Sequence, residues 1–388
     1  MTSSSTSPSI APTAELSTAQ PPEQTRIRFG IIGAGFIARW FMEAAAVLPQ
    51  VEVVAVTSAH AERAAAFAAK HGIGASYASL PEMLAAGGPD GATPFDVVYV
   101  GSPNALHTEQ TVAALEAGFH VLAEKPFALR TAEAEAMVAA ARRADRFLME
   151  GWLPAFEPGT ATIREALPRL GTGEAGPHRA LLVKEQYSSR MDRFRAGELL
   201  PAFDPSLGGG SLMDLGVYPV SMAIHLFGAP ARVRATGRLL RSGADSHGTV
   251  VLEYDRQPDG SRTDLEVVCL HSKTSTNGTL SEVAADRVVL TLDDCQWPRE
   301  IALRTPDGVE RLEVEAAWPE GAVVPEAAEK PPVLARELAE VCRLVRAGAR
   351  ESGLHPLAAS LASVRVLEEA RAQTGVRFPG DAGATMGA

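Results

Sequence analysis

The sequence is poor in cysteine, aromatic residues and positive charge, and each shortage excludes a class of protein. Its three cysteines, Cys269, Cys295 and Cys342, show no CxxC spacing, which argues against a disulfide framework or a cysteine metal site. No apolar run approaches the roughly 20 residues that cross a bilayer. Lysine and arginine number 36 against 47 acidic residues, a formal charge of -11. We therefore predict no metal site, no nucleic-acid partner and no membrane partner.

Both ends of the chain also lack the composition of a folded core. Residues 1–25 are rich in Ser, Thr, Pro and Ala, without the basic start and apolar stretch of a secretory signal. We predict a disordered tail over 1–25 and a flexible tail over 377–388. With no targeting signal, we expect a cytoplasmic protein.

Between these ends, over residues 26–376 of the 388-residue chain, the sequence shows two different patterns. Up to about Trp152, apolar runs such as "VEVVAVTS" alternate with Ala-rich helical segments, which predicts a doubly wound parallel sheet of Rossmann type over 26–150. Later runs such as "HRALLVKEQY" and "TDLEVVCLHS" are separated by Gly, Asp and Pro. They predict a second α/β domain over 151–376 with a large, mostly antiparallel open sheet.

The stretch "GIIGAGFIARW" indicates a dinucleotide site at the start of the first domain. Gly33, Gly35 and Ala38 form the G-x-G-x-x-A fingerprint between a strand and a helix. Gly33 permits a tight turn, Gly35 admits a pyrophosphate, and Ala38 lets the helix pack close to the strand. A glycine-rich structural turn is the alternative.

The end of the second strand bears on the choice of nucleotide. An NAD site usually has an acidic residue there for the ribose hydroxyls, but this chain has Ser58. Ser58, His60 and Arg63 could contact a 2′-phosphate, which favours NADP, with NAD still possible. The alternative is that all three are solvated loop and helix residues.

The stretch "HVLAEKPFAL" ends a strand with Glu124-Lys125-Pro126. Proline stops the strand because it has no backbone N–H. The charges then lie at the carboxyl end of the strand, where open α/β sheets bind ligands. Lys125 is either a proton-transfer group or a solvated surface cation.

Three further stretches carry a resemblance to one family: "GSPNALHTEQTVAALEAGFHVLAEKPFAL", "MEGWLPAFEP" and "DPSLGGGSLMDLGVYPV". With the glycine loop they resemble the Gfo/Idh/MocA family of nicotinamide-dependent oxidoreductases, in its trans-dihydrodiol, D-xylose dehydrogenase and glucose-fructose oxidoreductase branch. The likeness runs from about Arg26 to Val376.

The resemblance implies roles for particular residues. Lys125 matches a lysine beside the nicotinamide and the reacting oxygen, and Pro126 matches a proline that often follows a cis bond. "DLGVY" supplies Asp214 and Tyr218. Together with the fingerprint, the resemblance gives these expected cofactor-binding residues: Gly33, Gly35, Phe36, Ile37, Ala38, Ser58, Arg63, Ser102, Pro103, Asn104, His107, Glu124, Lys125 and Pro126.

Interconverting an alcohol and a ketone needs a hydride carrier and an acid–base group. Our hypothesis is that Tyr218 exchanges the proton, that Lys125 lowers its pKa and grips the substrate, and that Asp214 orients the pair or binds a hydroxyl. Trp152 and Phe156 could line the substrate site or be core residues. Relatives carry arginine at the positions of Ala59 and Ala155, which weakens the NADP interpretation and suggests a different substrate pocket.

We therefore expect an NADP-preferring oxidoreductase acting on a sugar, a sugar derivative or a cyclic polyol. The alternatives are a glycosidase- or epimerase-like enzyme with a tightly held nicotinamide and a non-catalytic nucleotide sensor. By resemblance, the second sheet should form a homodimer or homotetramer. The sequence does not identify the substrate, the reacting carbon or the physiological direction.

Overall fold

The computed structural model describes residues 26–381 except 89, 173–174, 257–263, 316, 327 and 329. The predicted disordered tail over 1–25 and the last seven residues of the predicted flexible tail lie outside the described residues. None of the described helices is both long and apolar enough to cross a membrane.

The first half forms a parallel sheet with the order β3-β2-β1-β4-β5-β6, as the fold class predicts. Its strands are β1 (Ile27–Ile32), β2 (Val51–Thr57), β3 (Ala75–Tyr77), β4 (Val97–Val100), β5 (His120–Glu124) and β6 (Leu148–Gly151). The helices between them are α1 (Phe36–Ala46), α2 (Ala61–His71), α3 (Leu80–Gly87), α4 (His107–Glu116) and α5 (Thr131–Ala144).

The chain reverses its direction of winding between β1 and β4, which are neighbours in the sheet. Such a switch point leaves a crevice at the carboxyl ends of the two strands. Residues of β1 and β4 such as Phe29, Ile31 and Tyr99 are fully buried, because helices cover both faces of the sheet. The loops that carry the predicted nucleotide residues therefore start from a rigid base.

The second half forms an eight-stranded sheet with the order β14-β13-β12-β11-β7-β10-β9-β8. Every pairing is antiparallel except that of β7 with β10, which confirms the mostly antiparallel sheet. Its strands are β7 (Arg179–Glu185), β8 (Arg232–Leu239), β9 (Asp245–Tyr254), β10 (Leu265–Ser272), β11 (Ser281–Ala284), β12 (Val289–Leu292), β13 (Ile301–Thr305) and β14 (Gly308–Leu312).

Five further helices belong to this half: α6 (Pro158–Ala166), α7 (Met191–Arg195), α8 (Val217–Phe227), α9 (Ala335–Arg346) and α10 (Leu357–Thr374). A π-helical turn, Leu212–Gly216, leads directly into α8. Helix α8 packs on the inner face of the second sheet and is buried over most of its length, so it positions the DLGVY motif against the centre of the molecule.

Helix α10 joins the two halves, because it packs against α5 as well as against α8 and β8. The carboxylate of Glu368 on α10 accepts hydrogen bonds from the backbone nitrogen and Oγ1 of Thr131, at 2.9 and 2.6 Å, where α5 begins. The prediction of a flexible tail from 377 needs correction, since Phe378 is buried and Asp381 pairs with Arg371. These contacts hold the chain in place as far as Asp381.

Candidate active site

The glycine loop after β1 borders an open space. Gly33 has a φ of +108°, and a Cβ there would lie 2.5 Å from the carbonyl oxygen of Gly101, so a larger residue would displace backbone. A Cβ on Gly35 would meet no described atom within 4 Å. Within the described part of the chain, no side chain caps the start of α1, so its first N–H groups remain for an anion. The loop fits a pyrophosphate.

This space belongs to a cavity of about 850 Å³. Eight of the predicted cofactor residues line it: Gly33, Gly35, Phe36, Ile37, Ser58, Arg63, Ser102 and Pro103. The segment that follows β7 adds Arg190, Pro201 and Leu207 to its wall. Residues of both halves of the chain therefore enclose the nucleotide cavity.

The lining of this cavity is positively charged. Arg63 and Arg190 are exposed there, His60 is beside them, and the lining residues include no aspartate or glutamate. Neither arginine forms an ion pair with another described residue. The hydroxyl group of Ser58 is already hydrogen-bonded within its own turn. It donates to the carbonyl oxygen of His60 at 2.7 Å and accepts a hydrogen bond from the backbone nitrogen of the same residue. The two arginines are thus the groups best placed for a phosphate.

The other predicted cofactor residues lie behind the cavity. Ala38, His107 and Glu124 are buried, and Pro126 follows a cis peptide bond. The ring nitrogens of His107 lie 2.9 and 3.0 Å from the carbonyl oxygens of Pro126 and Ser102. Burial lowers the pKa of His107, so the neutral ring donates to one carbonyl at a time. His107 therefore joins two loops and does not face the cavity.

Asn104 links the first half to the glycines before the π turn. Its amide donates to the carbonyl oxygen of Gly208 at 2.9 Å. A Cβ on Gly208 would come within 3.0 Å of the Asn104 Cβ, and φ at Gly208 is +74°. Glycine is required there because the two loops touch, and this contact brings the DLGVY motif close to the end of β5.

Lys125, Asp214 and Tyr218 come together at that point. The ammonium group of Lys125 lies 3.1 Å from Asp214 Oδ1, 3.0 Å from the Asp214 carbonyl oxygen and 4.8 Å from the centre of the Tyr218 ring. The other carboxylate oxygen of Asp214 bonds to the ammonium group of Lys273. Two cations thus flank one carboxylate, whose side chain remains 43% exposed.

Neighbouring charges determine the protonation states of Asp214 and Lys125. Burial opposes ionisation of Asp214, but Lys273 and Lys125 outweigh it and hold the pKa of the carboxyl below its ordinary value. Burial also opposes the charge on Lys125, yet Tyr218 and Asp214 raise the pKa of its ammonium group. At neutral pH the site therefore contains an aspartate anion between lysine cations.

Tyr218 departs from the hypothesis that Lys125 would lower its pKa. Burial raises the pKa of Tyr218 to about 12, although Lys125 acts in the opposite direction. The contribution of Lys125 has the sign that the hypothesis requires, but the net shift of the pKa is upward because the ring is almost fully buried. The resting side chain is a neutral phenol.

Glu124, beside Lys125 in sequence, faces the core. It accepts hydrogen bonds from the hydroxyl of Tyr99 at 2.7 Å and from the backbone nitrogen of Lys125 at 3.2 Å. Burial raises the pKa of its carboxyl. Glu124 therefore fixes the backbone that carries Lys125 and does not line the nucleotide cavity.

The sequence analysis missed four polar residues around this site: Lys184, Lys273, Gln296 and Arg190. Lys184 and Lys273 are buried, the first within β7 and the second just after β10. A lysine in or directly after an apolar strand was a usable signal, because a buried lysine needs a partner. Gln296 and Arg190 lie in loops and carried no such signal.

Trp152 and Phe156 fit the alternative that they are core residues. Trp152 is fully buried and packs against the rings of His225 and His355, with centroids 5.4 and 5.0 Å away. Phe156 is buried and borders a separate cavity between α9 and residues 317–323. Neither lies on the nucleotide cavity.

Comparisons with known proteins agree with this arrangement. Residues 27–152 match the model of an oxidoreductase family with an NAD-binding Rossmann fold, and residues 185–274 match a GFO/IDH/MocA C-terminal domain. The scyllo-inositol 2-dehydrogenase (NADP(+)) IolU of Bacillus subtilis is 39% identical over 355 residues, which is 92% of this chain and 99% of that protein. Human trans-1,2-dihydrobenzene-1,2-diol dehydrogenase is 31% identical over 92% of this chain and 99% of its own length.

Among solved structures, KijD10, a 3-ketoreductase from Actinomadura kijaniata in complex with NADP and TDP-benzene, has the same fold. It matches with a TM-score of 0.72 and 23% identity over 91% of this chain and 98% of that one.

Proposed function

The chain belongs to the Gfo/Idh/MocA family of oxidoreductases, and we propose that it transfers a hydride between NADP(H) and a cyclic polyol or sugar derivative. The observation that carries the proposal is the meeting of Lys125, Asp214 and Tyr218 at the carboxyl end of β5, close to a cavity suited to a dinucleotide. The relative from B. subtilis, named as an NADP-dependent inositol dehydrogenase, supports this substrate class.

The preference for NADP is supported by charge. NADP carries one phosphate more than NAD, and the cavity presents Arg63 and Arg190 without a carboxylate among its lining residues. An acidic residue at the position of Ser58 would repel the additional phosphate, and none is present. The main contribution comes from the arginines, because the Ser58 hydroxyl is used within its own turn.

Residues of the chain would transfer the proton to or from the substrate oxygen and stabilise the negative charge that develops on it. The bound nicotinamide supplies or accepts the hydride. Lys125 would bind the substrate oxygen, and Tyr218 would give its proton to that oxygen in reduction or remove it in oxidation. Two lysines against one aspartate leave a net positive charge, which stabilises the alkoxide that develops on the substrate.

We also propose a homodimer or homotetramer formed through the outer face of the second sheet. Leu181, Val251, Val268 and Leu270 lie on three adjacent strands and are half-buried, whereas the residues that alternate with them are buried. These four residues form an apolar patch bordered by charged residues such as Glu266, and such a patch suits a second copy of the chain.

The test of the catalytic proposal is nicotinamide absorbance with inositols, inososes, sugars and trans-dihydrodiols, each offered with NADP and NAD. We expect turnover with a cyclic polyol and NADP. Lys125→Met should lower kcat/KM by about 10²- to 10⁴-fold while the dissociation constant of NADP stays near that of the wild type. Lys70→Met, which removes an exposed lysine at the end of α2, is the matched control.

Equal turnover in wild type and Lys125→Met would remove Lys125 from the mechanism. A nucleotide that stays bound through purification, with no turnover of added nucleotide, would favour the enzyme with a tightly held cofactor.

A further inference from the structure

The hydroxyl of Tyr218 has a specific protein partner on the side of the second sheet. The amide nitrogen of Gln296 donates a hydrogen bond to it at 2.9 Å. Gln296 is 7% exposed and Tyr218 is 6% exposed, so the contact is shielded from water. Gln296 follows β12 in a loop that neither the glycine motif nor the lysine motif includes.

The ion pair between the buried Lys184 and the half-buried Asp294 holds Gln296 in position. Asp294 Oδ1 accepts hydrogen bonds from the backbone nitrogens of Gln296 and Trp297 at 2.5 and 3.3 Å. Both oxygens of Asp294 bond to the ammonium group of Lys184, at 3.0 and 2.7 Å. Lys184 is buried on β7, with its nitrogen 5.9 Å from the centre of the Tyr218 ring. The loop is thus tied to the sheet directly behind the tyrosine.

The direction of this hydrogen bond has a chemical consequence. An amide N–H that donates to the phenol oxygen occupies a lone pair and leaves the hydroxyl proton to point elsewhere. The nearby ammonium groups of Lys125 and Lys184 cannot accept that proton. In the described part of the chain, no group accepts a hydrogen bond from Tyr218. The proton is therefore available to a substrate oxygen.

We propose that Gln296 is a positioning residue that orients the Tyr218 hydroxyl for proton transfer to the substrate and stabilises the phenolate left behind. This inference rests on the proposed oxidoreductase function. In reduction the Tyr218 O–H bond breaks, a substrate O–H bond forms, and the electron pair remains on the phenol oxygen. Gln296 then donates to an anion, and such hydrogen bonds are about twice as strong as neutral ones.

Two substitutions test the proposal. Gln296→Met keeps the length of the side chain and removes the donor. Gln296→Glu is isosteric but presents a carboxylate, which accepts hydrogen bonds and, while it is ionised, cannot donate one to Tyr218. These variants leave in place the charged groups that act on Tyr218. Lys125 and Lys184 lie over its ring, Asp214 and Glu124 act from beside Lys125, and Asp294 is paired with Lys184.

For Gln296→Met we expect kcat to fall about 10- to 100-fold, as for the loss of a hydrogen bond to a charged group, with KM and NADP affinity within about twofold of wild type. The oxidation rate rises with pH as the phenolate forms, and this rise should move to higher pH by about one unit or more. Gln296→Glu should fold and bind NADP but lose most activity at neutral pH. Gln186→Met, at an exposed glutamine after β7, is the control.

A second readout needs no turnover. The difference in phenolate absorbance between wild type and Tyr218→Phe, followed up to the highest pH at which both proteins stay folded, reports the onset of Tyr218 ionisation, and Gln296→Met should shift that titration to higher pH. A Gln296→Met protein with unchanged Tyr218 titration and unchanged kcat would overturn the inference. A wild type without turnover, but with the shifted titration in Gln296→Met, would contradict the proposed function and leave the tyrosine–glutamine coupling intact.

Discussion

Arg63 and Arg190 reach the nucleotide cavity from different parts of the chain. Arg63 lies in the first turn of α2, beyond the end of β2, and Arg190 directly precedes α7 in the second half. Both are exposed and without an ion-pair partner among the described residues. A guanidinium group binds phosphate oxygens in a bidentate manner, so we propose that these two residues govern which nucleotide is bound.

We expect Arg63→Gln to weaken NADP binding about 10- to 100-fold, because a hydrogen-bonded charge on the 2′-phosphate is lost. NAD binding should change little, since NAD lacks this phosphate. Arg190→Gln tests the second arginine in the same way, and Arg143→Gln on the exposed side of α5 is the control. Titration with the reduced forms NADPH and NADH, followed by nicotinamide fluorescence, measures all of these affinities.

If either substitution lowered the affinities for NAD and NADP equally, that arginine would bind the pyrophosphate, which both nucleotides share, and not the 2′-phosphate. Unchanged affinity for both nucleotides would exclude it from the nucleotide site.

Helix α9 carries a buried acid beneath the active site. Glu337 is fully buried, and neither of its carboxyl oxygens has a hydrogen-bond partner among the described residues. A Cβ on Gly151, at the end of β6, would lie 3.2 Å from Glu337 Oε1 and 3.6 Å from Glu124 Oε1. Burial, and then the charges of Glu124 and Glu150, raise the pKa of Glu337 well above its ordinary value.

This raised pKa predicts a pH dependence of stability. The folded chain holds a proton that the unfolded chain releases once pH exceeds the ordinary glutamate value of 4.5. The free energy of unfolding of the wild type should therefore fall, relative to Glu337→Gln, by up to about 1.4 kcal/mol per pH unit as pH rises above that value. Denaturant unfolding of both proteins from pH 5 to pH 8 measures the difference, and parallel curves would contradict the prediction.

Long periodic elements were predictable from the sequence, whereas short and interrupted ones were not. The sequence predicts helices in the Ala-rich segments of the first half, and one such segment is helical from Thr131 to Ala144. Strand β3 has three residues and β11 has four, too few for a period of two to stand out. The π turn at Leu212–Gly216 depends on tertiary contacts with Asp245 and Lys273, which a local pattern does not contain.

Some residues of the candidate site were likewise predictable from local sequence motifs, and others were not. The glycine loop, Lys125 and the DLGVY motif are local signatures, and a family resemblance could place them. Gln296 and Arg190 are recognisable only from their neighbours in space, because no sequence period leads to them. His107 and Glu124 belong to the motifs but point into the protein, since their backbone neighbours and not their side chains border the cavity.

At the scale of the whole molecule, the outer face of the second sheet carries the apolar patch formed by Leu181, Val251, Val268 and Leu270. Val268 lies opposite both Leu181 and Val251 in the strand register, so it is at the centre of that face. A charge introduced there should prevent association, because it would be buried without a partner.

We expect the wild type to have, by light scattering, a multiple of the 40.9 kDa of one chain. We expect Val268→Glu to reduce this mass to that of one chain. Val324→Glu, at an exposed valine outside the sheet, should keep the wild-type mass. A monomeric wild type would contradict the oligomer, and an unchanged mass in Val268→Glu would place the interface elsewhere.

The position of α10 has a consequence for how the protein is made. On the ribosome the parallel sheet emerges first. Glu368, whose carboxylate binds the start of α5, and Leu357 and Val364, which pack in the core cluster of the first half, are synthesised only after the described strands of both sheets. The apolar surface that α10 covers therefore stays exposed while the second sheet is synthesised, and during that time it is accessible to chaperones.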